Sequence, residues 1–167
     1  MPVSGVVYAP AIGQLYFSAE GLGAFRLGVP DPDVLLETGP DELIGEAALL
    51  PVKAEKKRNP VLVASRSHAG SETEDYIRRI SRKHNGLQLV SRGSSLKICM
   101  VAEGQADIYP RFGPTMEWDT AAGHAIAKHS GCTVVQSGSR EELRYNKEDL
   151  HNPWFIVYRD QEYYLDP

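Results

Sequence analysis

The chain has 167 residues, of which 42% are hydrophobic and 24% are charged, so it can bury one compact core but hardly several. Its formal net charge of −4 argues against binding to a nucleic acid polymer, because proteins that do so usually present a positive face. No apolar run approaches the roughly 18 residues of a transmembrane segment, and the N-terminus lacks the pattern of a signal peptide. We therefore expect a single domain over residues 1–167 with no transmembrane segment.

The three opening runs of strand-forming residues predict an antiparallel meander over residues 1–28. They are separated by Pro10, Gly13 and Gly21, which are turn-forming residues, and they read VSGVVYAP, GQLYFSAE and GAFRLG. Residues 29–59 lack such a pattern. Prolines and the charged run KAEKKR in this stretch predict an excursion over the surface.

Residues 60–167 alternate between strand-like and helix-like runs. PVLVASRS, LQLVSRG, ADIYPRF and CTVVQSG are predicted strands, and SSLKICMVAEG is a predicted helix. SETEDYIRRISRKH predicts a helix capped by Ser71 with Glu74 in a capping box, and EWDTAAGHAIAKHSG predicts a helix ended by Gly131. The fold class is therefore α/β, or mixed α+β: antiparallel strands followed by a layered α/β half with a mixed sheet.

The two cysteines, Cys99 and Cys132, show neither CxxC spacing nor a Cys/His pattern typical of a metal site. Both lie in apolar surroundings, which predicts buried free thiols. Free thiols are consistent with a reducing cytoplasm.

The stretch GSSLK favours an anion site. Gly93 permits a tight turn after the strand, and Ser94 or Ser95 is placed to cap the next helix. The start of a helix presents free backbone N–H groups, and Lys97 in its first turn would add positive charge. The alternative is a plain helix cap with an exposed lysine.

The stretch EWDTAAGHA places one aspartate at a predicted helix start. Trp118 is expected to anchor this start in the core, with Asp119 as the N-cap. Alternatively, Asp119 binds Mg²⁺, for which it would need further oxygen ligands. Arg111 comes eight residues earlier and is either a phosphate ligand or a surface charge. His68 follows a predicted buried strand, where it either contacts a ligand or is simply solvated.

Three stretches resemble the C-terminal half of the bacterial 3'(2'),5'-bisphosphate nucleotidases, a branch of the inositol monophosphatase-like superfamily of Mg²⁺-dependent, Li⁺-sensitive phosphatases. They are GSSLK, VAEGQADIYPRFGPTMEWDTAAGHAIAKHSGC and LHNPWFIV. GVVYAP and SRSH resemble the middle region of the same family. The resemblance implies that Asp119 is a Mg²⁺ ligand. It also implies that several residues lie near the nucleotide and its phosphates: His68, Gly93, Ser94, Lys97 and Arg111.

The family's Asp-Pro-(Ile/Leu)-Asp-Gly-Thr motif and its Glu-Glu pair, which supply most metal ligands, are absent from this sequence. We therefore expect a truncated family member that does not turn over substrate alone. The resemblance implies that the complete enzyme hydrolyses adenosine 3',5'-bisphosphate to AMP and phosphate, in the cytoplasm or peripherally at the inner membrane. The alternatives are a non-catalytic nucleotide-binding or interaction domain, and a phosphatase acting on inositol or sugar phosphates.

In a truncated protein the opening strands would have an open edge and an uncovered apolar face. We expect such surfaces to pair two copies of the chain as a homodimer. The alternative is a monomer in which the stretch from Val29 to Pro60 folds back as a lid. The face in question would carry Val7, Tyr8, Leu15, Phe17 and Phe25.

Overall fold

The computed structural model describes residues 1–29, 31–52, 59–65 and 70–165. One antiparallel sheet contains four strands in the order β1-β2-β3-β4. Their bounds are β1 Ser4–Ala9, β2 Gln14–Ala19, β3 Gly23–Gly28 and β4 Ala48–Leu49. The predicted meander is therefore confirmed for its first three strands.

The second sheet contains five strands: β5 Val61–Ala64, β6 Gln88–Ser91, β7 Ile108–Arg111, β8 Thr133–Gln136 and β9 Phe155–Tyr158. Their order is β6-β5-β7-β9-β8, with β5 parallel to β6 and β7, and β9 antiparallel to β7 and β8. The described helices are α1 Val34–Glu37, α2 Pro40–Glu46, α3 Ser71–Lys83, α4 Leu96–Glu103 and α5 Glu117–His129. The mixed α/β class is thus confirmed.

Helices α4 and α5 lie between the two sheets. The largest core cluster joins side chains of the first sheet, such as Tyr16 and Ala24, to both helices and to the second sheet. The layers approach closely where a Cβ on Gly5 of β1 would lie 2.3 Å from the carbonyl oxygen of Ala122 in α5. Only glycine permits this contact, because any side chain would clash with the helix backbone. Helix α3 covers the opposite face of the second sheet, where Tyr76 and Ile80 belong to a separate core cluster.

The stretch predicted as a surface excursion, residues 29–59, is mostly exposed from residue 31 to residue 49, but it is not a simple loop. This stretch contains α1, α2 and the short strand β4, while its charged run 53–58 lies outside the described residues. Leu35 and Leu43 pack against Leu15 and Leu27 on the outer face of the first sheet. Helices α1 and α2 form there because the few apolar residues of this otherwise polar stretch become buried against the strands.

The expected uncovered apolar face is therefore largely covered, as in the lid alternative. Leu15 and Phe25 are buried, and Phe25 stacks on Phe17 with ring centroids 5.3 Å apart. Tyr8 packs against the cluster that α1 and α2 close. Val7 points to the other side of the sheet and packs against the main core.

Two local predictions for helix ends had different outcomes. The N-cap of α3 is Gly70 rather than Ser71, whose hydroxyl donates to Glu72 at 3.0 Å instead of capping the backbone. The predicted capping box with Glu74 is therefore wrong. The end of α5 is confirmed: the helix stops at Ser130, and Gly131 follows with a positive φ of 86°.

Both cysteines are buried free thiols, as predicted. Burial raises the pKa of Cys99 to about 12 and also raises the pKa of Cys132. Among the described residues, no helix has the length and apolar character needed to cross a lipid bilayer.

Candidate functional site

A cavity of about 420 Å³ opens beside the carboxyl ends of three parallel strands. Ser65 follows β5, Arg92 follows β6 and Arg111 ends β7, and all three line the cavity. Such strand ends are where open α/β sheets bind ligands. The cavity also receives nearly all of the residues predicted from the sequence: Gly93, Ser94, Ser95, Lys97, Arg111 and Asp119. The remaining one, His68, lies outside the described residues.

The start of α4 is open towards the cavity. The backbone N–H groups of Gly93, Ser94 and Ser95 have no hydrogen-bond partner in the described part of the chain. Ser94 adopts the left-handed region with φ 51°, which is uncommon for a residue with a side chain. Ser95 occupies the N-cap position without capping through its side chain, so the expected side-chain cap is wrong.

Lys97 is not the exposed lysine of the simpler alternative, because only 5% of it is accessible. Its Nζ donates to the carbonyl oxygen of Ser94 at 2.9 Å and lies 5.4 Å from the ring centre of Tyr109. Burial, with the neighbouring Arg111 guanidinium, lowers the pKa of Lys97. The ammonium group is thus held in place at the cavity wall.

Arg111 is fixed by two neighbours. Its Nη1 lies 3.3 Å from the hydroxyl oxygen of Ser65, and its Nη2 donates to the carbonyl oxygen of Pro114 at 2.9 Å. These bonds orient the guanidinium before any ligand arrives. An oriented guanidinium suits a phosphate group, since its N–H groups form a planar fork.

The start of α5 differs from the prediction in two respects. The N-cap is Met116, and Asp119 is the third helical residue, where its Oδ2 accepts from the Met116 N–H at 2.8 Å. This is one half of a capping box, so Asp119 does satisfy a backbone donor of the helix start. Trp118 is 67% exposed and does not anchor the helix in the core.

The two helix starts touch each other. The hydroxyl of Ser95 donates to the backbone carbonyl oxygen of Asp119 at 3.1 Å. This contact brings the carboxylate of Asp119 to the same cavity as the open amides of α4. Ser94, Ser95 and Asp119 therefore line one cavity.

Asn152 supports the start of α5 from outside the cavity, and its local sequence gave no sign of this. Its Nδ2 lies 2.7 Å from the carbonyl oxygen of Met116 and 3.0 Å from Oγ1 of Thr120. Nearby, the buried carboxylate of Glu117 accepts from the backbone N–H of Asn146 at 2.7 Å. The ammonium of Lys147, hydrogen-bonded to that carboxylate, lowers the pKa of Glu117.

Tyr109 is a further cavity residue that the sequence prediction did not single out. It is two positions before Arg111 in β7, and alternate residues of a strand share one face. Burial raises the pKa of Tyr109 to about 12, so its hydroxyl keeps its proton near neutral pH. The alternation of the strand could have indicated it.

The residues present do not form a complete magnesium site. Within the described ranges, no three His, Cys, Asp or Glu side chains gather closely enough to hold a metal ion. Asp119 has one carboxylate oxygen occupied by the Met116 N–H and could offer the other to a cation. Since Mg²⁺ requires six oxygen ligands in near-octahedral geometry, Asp119 alone does not define a binding site.

Residues 1–158 match the model of the inositol monophosphatase family, and the chain belongs to that family. It is 41% identical to the 3'(2'),5'-bisphosphate nucleotidase CysQ of Escherichia coli K12 over 157 residues, which are 93% of this chain and 54% of that protein. The chain spans about half the length of the curated relatives it matches.

Solved structures agree with this assignment. CysQ from Bacteroides thetaiotaomicron, described as a bacterial member of the inositol monophosphatase family, has a TM-score of 0.88 and 50% identity, covering 96% of this chain and 59% of its own. Staphylococcal IMPase-II has a TM-score of 0.66 at 18% identity, covering 97% of this chain and 54% of its own. The second likeness concerns the fold alone.

Proposed function

We propose that the cavity binds the phosphate groups of a nucleotide bisphosphate, with adenosine 3',5'-bisphosphate as the expected ligand, and that the chain belongs to the bisphosphate nucleotidase lineage. One observation carries the proposal. Unpaired amides at the start of α4, the buried ammonium of Lys97 and the oriented guanidinium of Arg111 line the same cavity. Helix starts and guanidinium groups are typical phosphate ligands.

The balance of charge in the cavity supports a ligand with more than one phosphate. Arg92, Lys97 and Arg111 bring three cationic side chains to its lining, against the single carboxylate of Asp119. The volume of about 420 Å³ lies in the usual range for small-molecule sites. The similar CysQ proteins are 3'(2'),5'-bisphosphate nucleotidases, which points to the same substrate class. The alternative is a phosphatase that acts on inositol phosphates. A preference for ligands with a single phosphate would favour that alternative.

Catalysis is a separate part of the proposal. In the complete reaction, adenosine 3',5'-bisphosphate and water give AMP and phosphate, and Mg²⁺ would neutralise charge on the transferred phosphoryl group. Because Asp119 is a single carboxylate, we expect this chain to bind the nucleotide without hydrolysing it at a useful rate. A non-catalytic nucleotide-binding domain is therefore the second candidate function, and the lack of a three-ligand cluster in the described part of the chain favours it.

Two measurements on the purified chain test these proposals. Calorimetry should detect binding of adenosine 3',5'-bisphosphate and weaker binding of inositol 1-phosphate. Phosphate release from either compound with Mg²⁺ present should stay at the level of a blank. Equal or stronger binding of inositol 1-phosphate would reject the nucleotide assignment, and turnover would reject the expected inactivity.

We also propose that a second copy of the chain pairs with the edge of β1. This strand ends the sheet order, so within the described residues one of its edges has no strand partner. Val3 and Val6 are exposed there, and Val6 is 62% accessible. Unpaired edges with apolar side chains invite strand addition.

Light scattering at micromolar concentration tests the dimer. We expect twice the chain mass of 18.4 kDa, reduced to the single mass by Val6→Lys, which changes an exposed side chain. Val7→Lys is unsuitable because Val7 packs against the core. A single mass for the unmodified chain would reject the dimer.

A further inference from the structure

Tyr109 is a buried residue whose hydroxyl has no hydrogen-bond partner among the described residues. Only 4% of the residue is exposed, yet it lines the cavity, so its accessible surface opens there. Its ring is held by an edge-to-face contact with Phe155, at 5.9 Å between centroids, and by the ammonium of Lys97. No hydrogen bond of this hydroxyl exists in the part of the chain that the structure describes.

The Tyr109 hydroxyl is not among the fully enclosed side-chain atoms that lack a partner, so it is accessible from the cavity and can bond a ligand there. Tyr164 is equally buried at 4% exposure, but its hydroxyl is fully enclosed without a partner among the described residues, and it packs against Tyr158 rather than lining the cavity. The two tyrosines differ in what they face. Tyr109 borders a cavity that a ligand can fill, whereas Tyr164 belongs to the core beneath α3.

The neighbours of Tyr109 indicate what it would bind. Arg111 lies on the same face of β7, Lys97 lies over the ring, and the charges of both Arg111 and Asp119 act on the phenol. A hydroxyl beside an ammonium and a guanidinium group is placed to donate a hydrogen bond to an oxygen of an anion that those two groups bind. We infer that the Tyr109 hydroxyl donates a hydrogen bond to a phosphate oxygen of the bound ligand, as a third side-chain contact beside Lys97 and Arg111.

This inference rests on the proposed phosphate-binding function, and one set of variants separates the two. Tyr109→Phe removes the hydroxyl and keeps the ring contacts. Tyr164→Phe is the matched control, because it removes an unpartnered hydroxyl from an equally buried tyrosine outside the cavity. We expect Tyr109→Phe to weaken binding of adenosine 3',5'-bisphosphate about tenfold, the usual value of one net hydrogen bond, and Tyr164→Phe to leave it unchanged.

Inorganic phosphate serves as the second probe. A phosphate contact predicts a similar weakening for both probes, with the unfolding temperature of Tyr109→Phe no lower than that of the unmodified protein. A loss confined to the nucleotide would place the hydroxyl against the nucleoside and overturn the assignment. If Lys97→Met weakens binding while Tyr109→Phe does not, the role of Tyr109 is rejected and the proposed function stands. If the unmodified chain binds neither probe, both are rejected.

Discussion

The starts of α4 and α5 line one cavity but differ in whether their backbone N–H groups are hydrogen-bonded within the chain. Among the described residues, the start of α4 leaves backbone amides unpaired and adds the ammonium of Lys97, so it presents positive charge. The start of α5 satisfies itself through Asp119 and is held from behind by Asn152, so it presents a carboxylate. The comparison teaches that two helix starts in one cavity can present opposite charge, depending on which backbone donors the chain itself satisfies.

The largest expected effect comes from removing charge at the open start. Lys97→Met or Arg111→Met should weaken binding of adenosine 3',5'-bisphosphate by about 1.5 to 3 kcal/mol, the range for hydrogen bonds to charged groups. Calorimetry measures the loss. Lys83→Met and Arg78→Met remove the same charges from α3, outside the cavity, and serve as controls. Equal affinity in the unmodified chain and all four variants would show that neither Lys97 nor Arg111 contacts the ligand.

The next effect concerns the support of the closed start. Asn152→Ala should lower the free energy of unfolding by about 1 to 3 kcal/mol, because it removes the side-chain donor of the Met116 carbonyl oxygen and of the buried Thr120 hydroxyl oxygen. Urea unfolding measures this change. Gln88→Ala, on an exposed position of β6, is the control. A free energy of unfolding equal to that of the unmodified protein would show that the contacts of Asn152 do not contribute to stability.

A smaller effect is expected where the two starts touch. Ser95→Ala removes the hydrogen bond to the carbonyl oxygen of Asp119 and should cost about 0.5 to 1.5 kcal/mol of stability. Because the backbone amides of α4 remain, phosphate binding should persist. Unfolding and calorimetry on the same variant check both statements, and a complete loss of binding would contradict the role given to the amides.

The smallest effect on stability is expected from Asp119→Asn. The amide oxygen can still accept from the Met116 N–H, so only the attraction of the carboxylate for the helix start is lost, about 0.3 to 1 kcal/mol. Without divalent cations, ligand binding should become tighter, because a negative charge leaves the cavity. Calorimetry in the presence of a chelator measures this. Weaker binding under those conditions would indicate that the carboxylate contacts the ligand directly.

Sequence patterns located the open start better than the closed one. Gly93, Ser94, Ser95 and Lys97 are consecutive or nearly so, and the turn, the free amides and the charge all follow from local rules. Asn152 acts on a helix start 36 residues away, and no local pattern encodes such a contact.

The same reason explains the errors elsewhere. Trp118 was assigned to the core because it is large and apolar, but the surface that α5 buries is formed by smaller residues such as Gly123 and Ala127. The helices of residues 29–59 were missed because their few apolar residues only become informative against Leu15 and Leu27. Runs of strand-forming residues predicted most strands, because a strand buried on both faces, such as β5 or β7, is apolar along most of its length.

We expect both cysteines to react slowly with thiol reagents in the folded protein. The thiolate is the nucleophile that attacks alkylating reagents, and burial both shields Cys99 and raises its pKa to about 12, with the pKa of Cys132 also raised. Cys99 lies on α4, and Cys132 directly follows the glycine that ends α5. Cys99 is fully buried, so its alkylation requires α4 to separate from the sheets. The rate of that alkylation under native conditions therefore measures how often the layers around the cavity open.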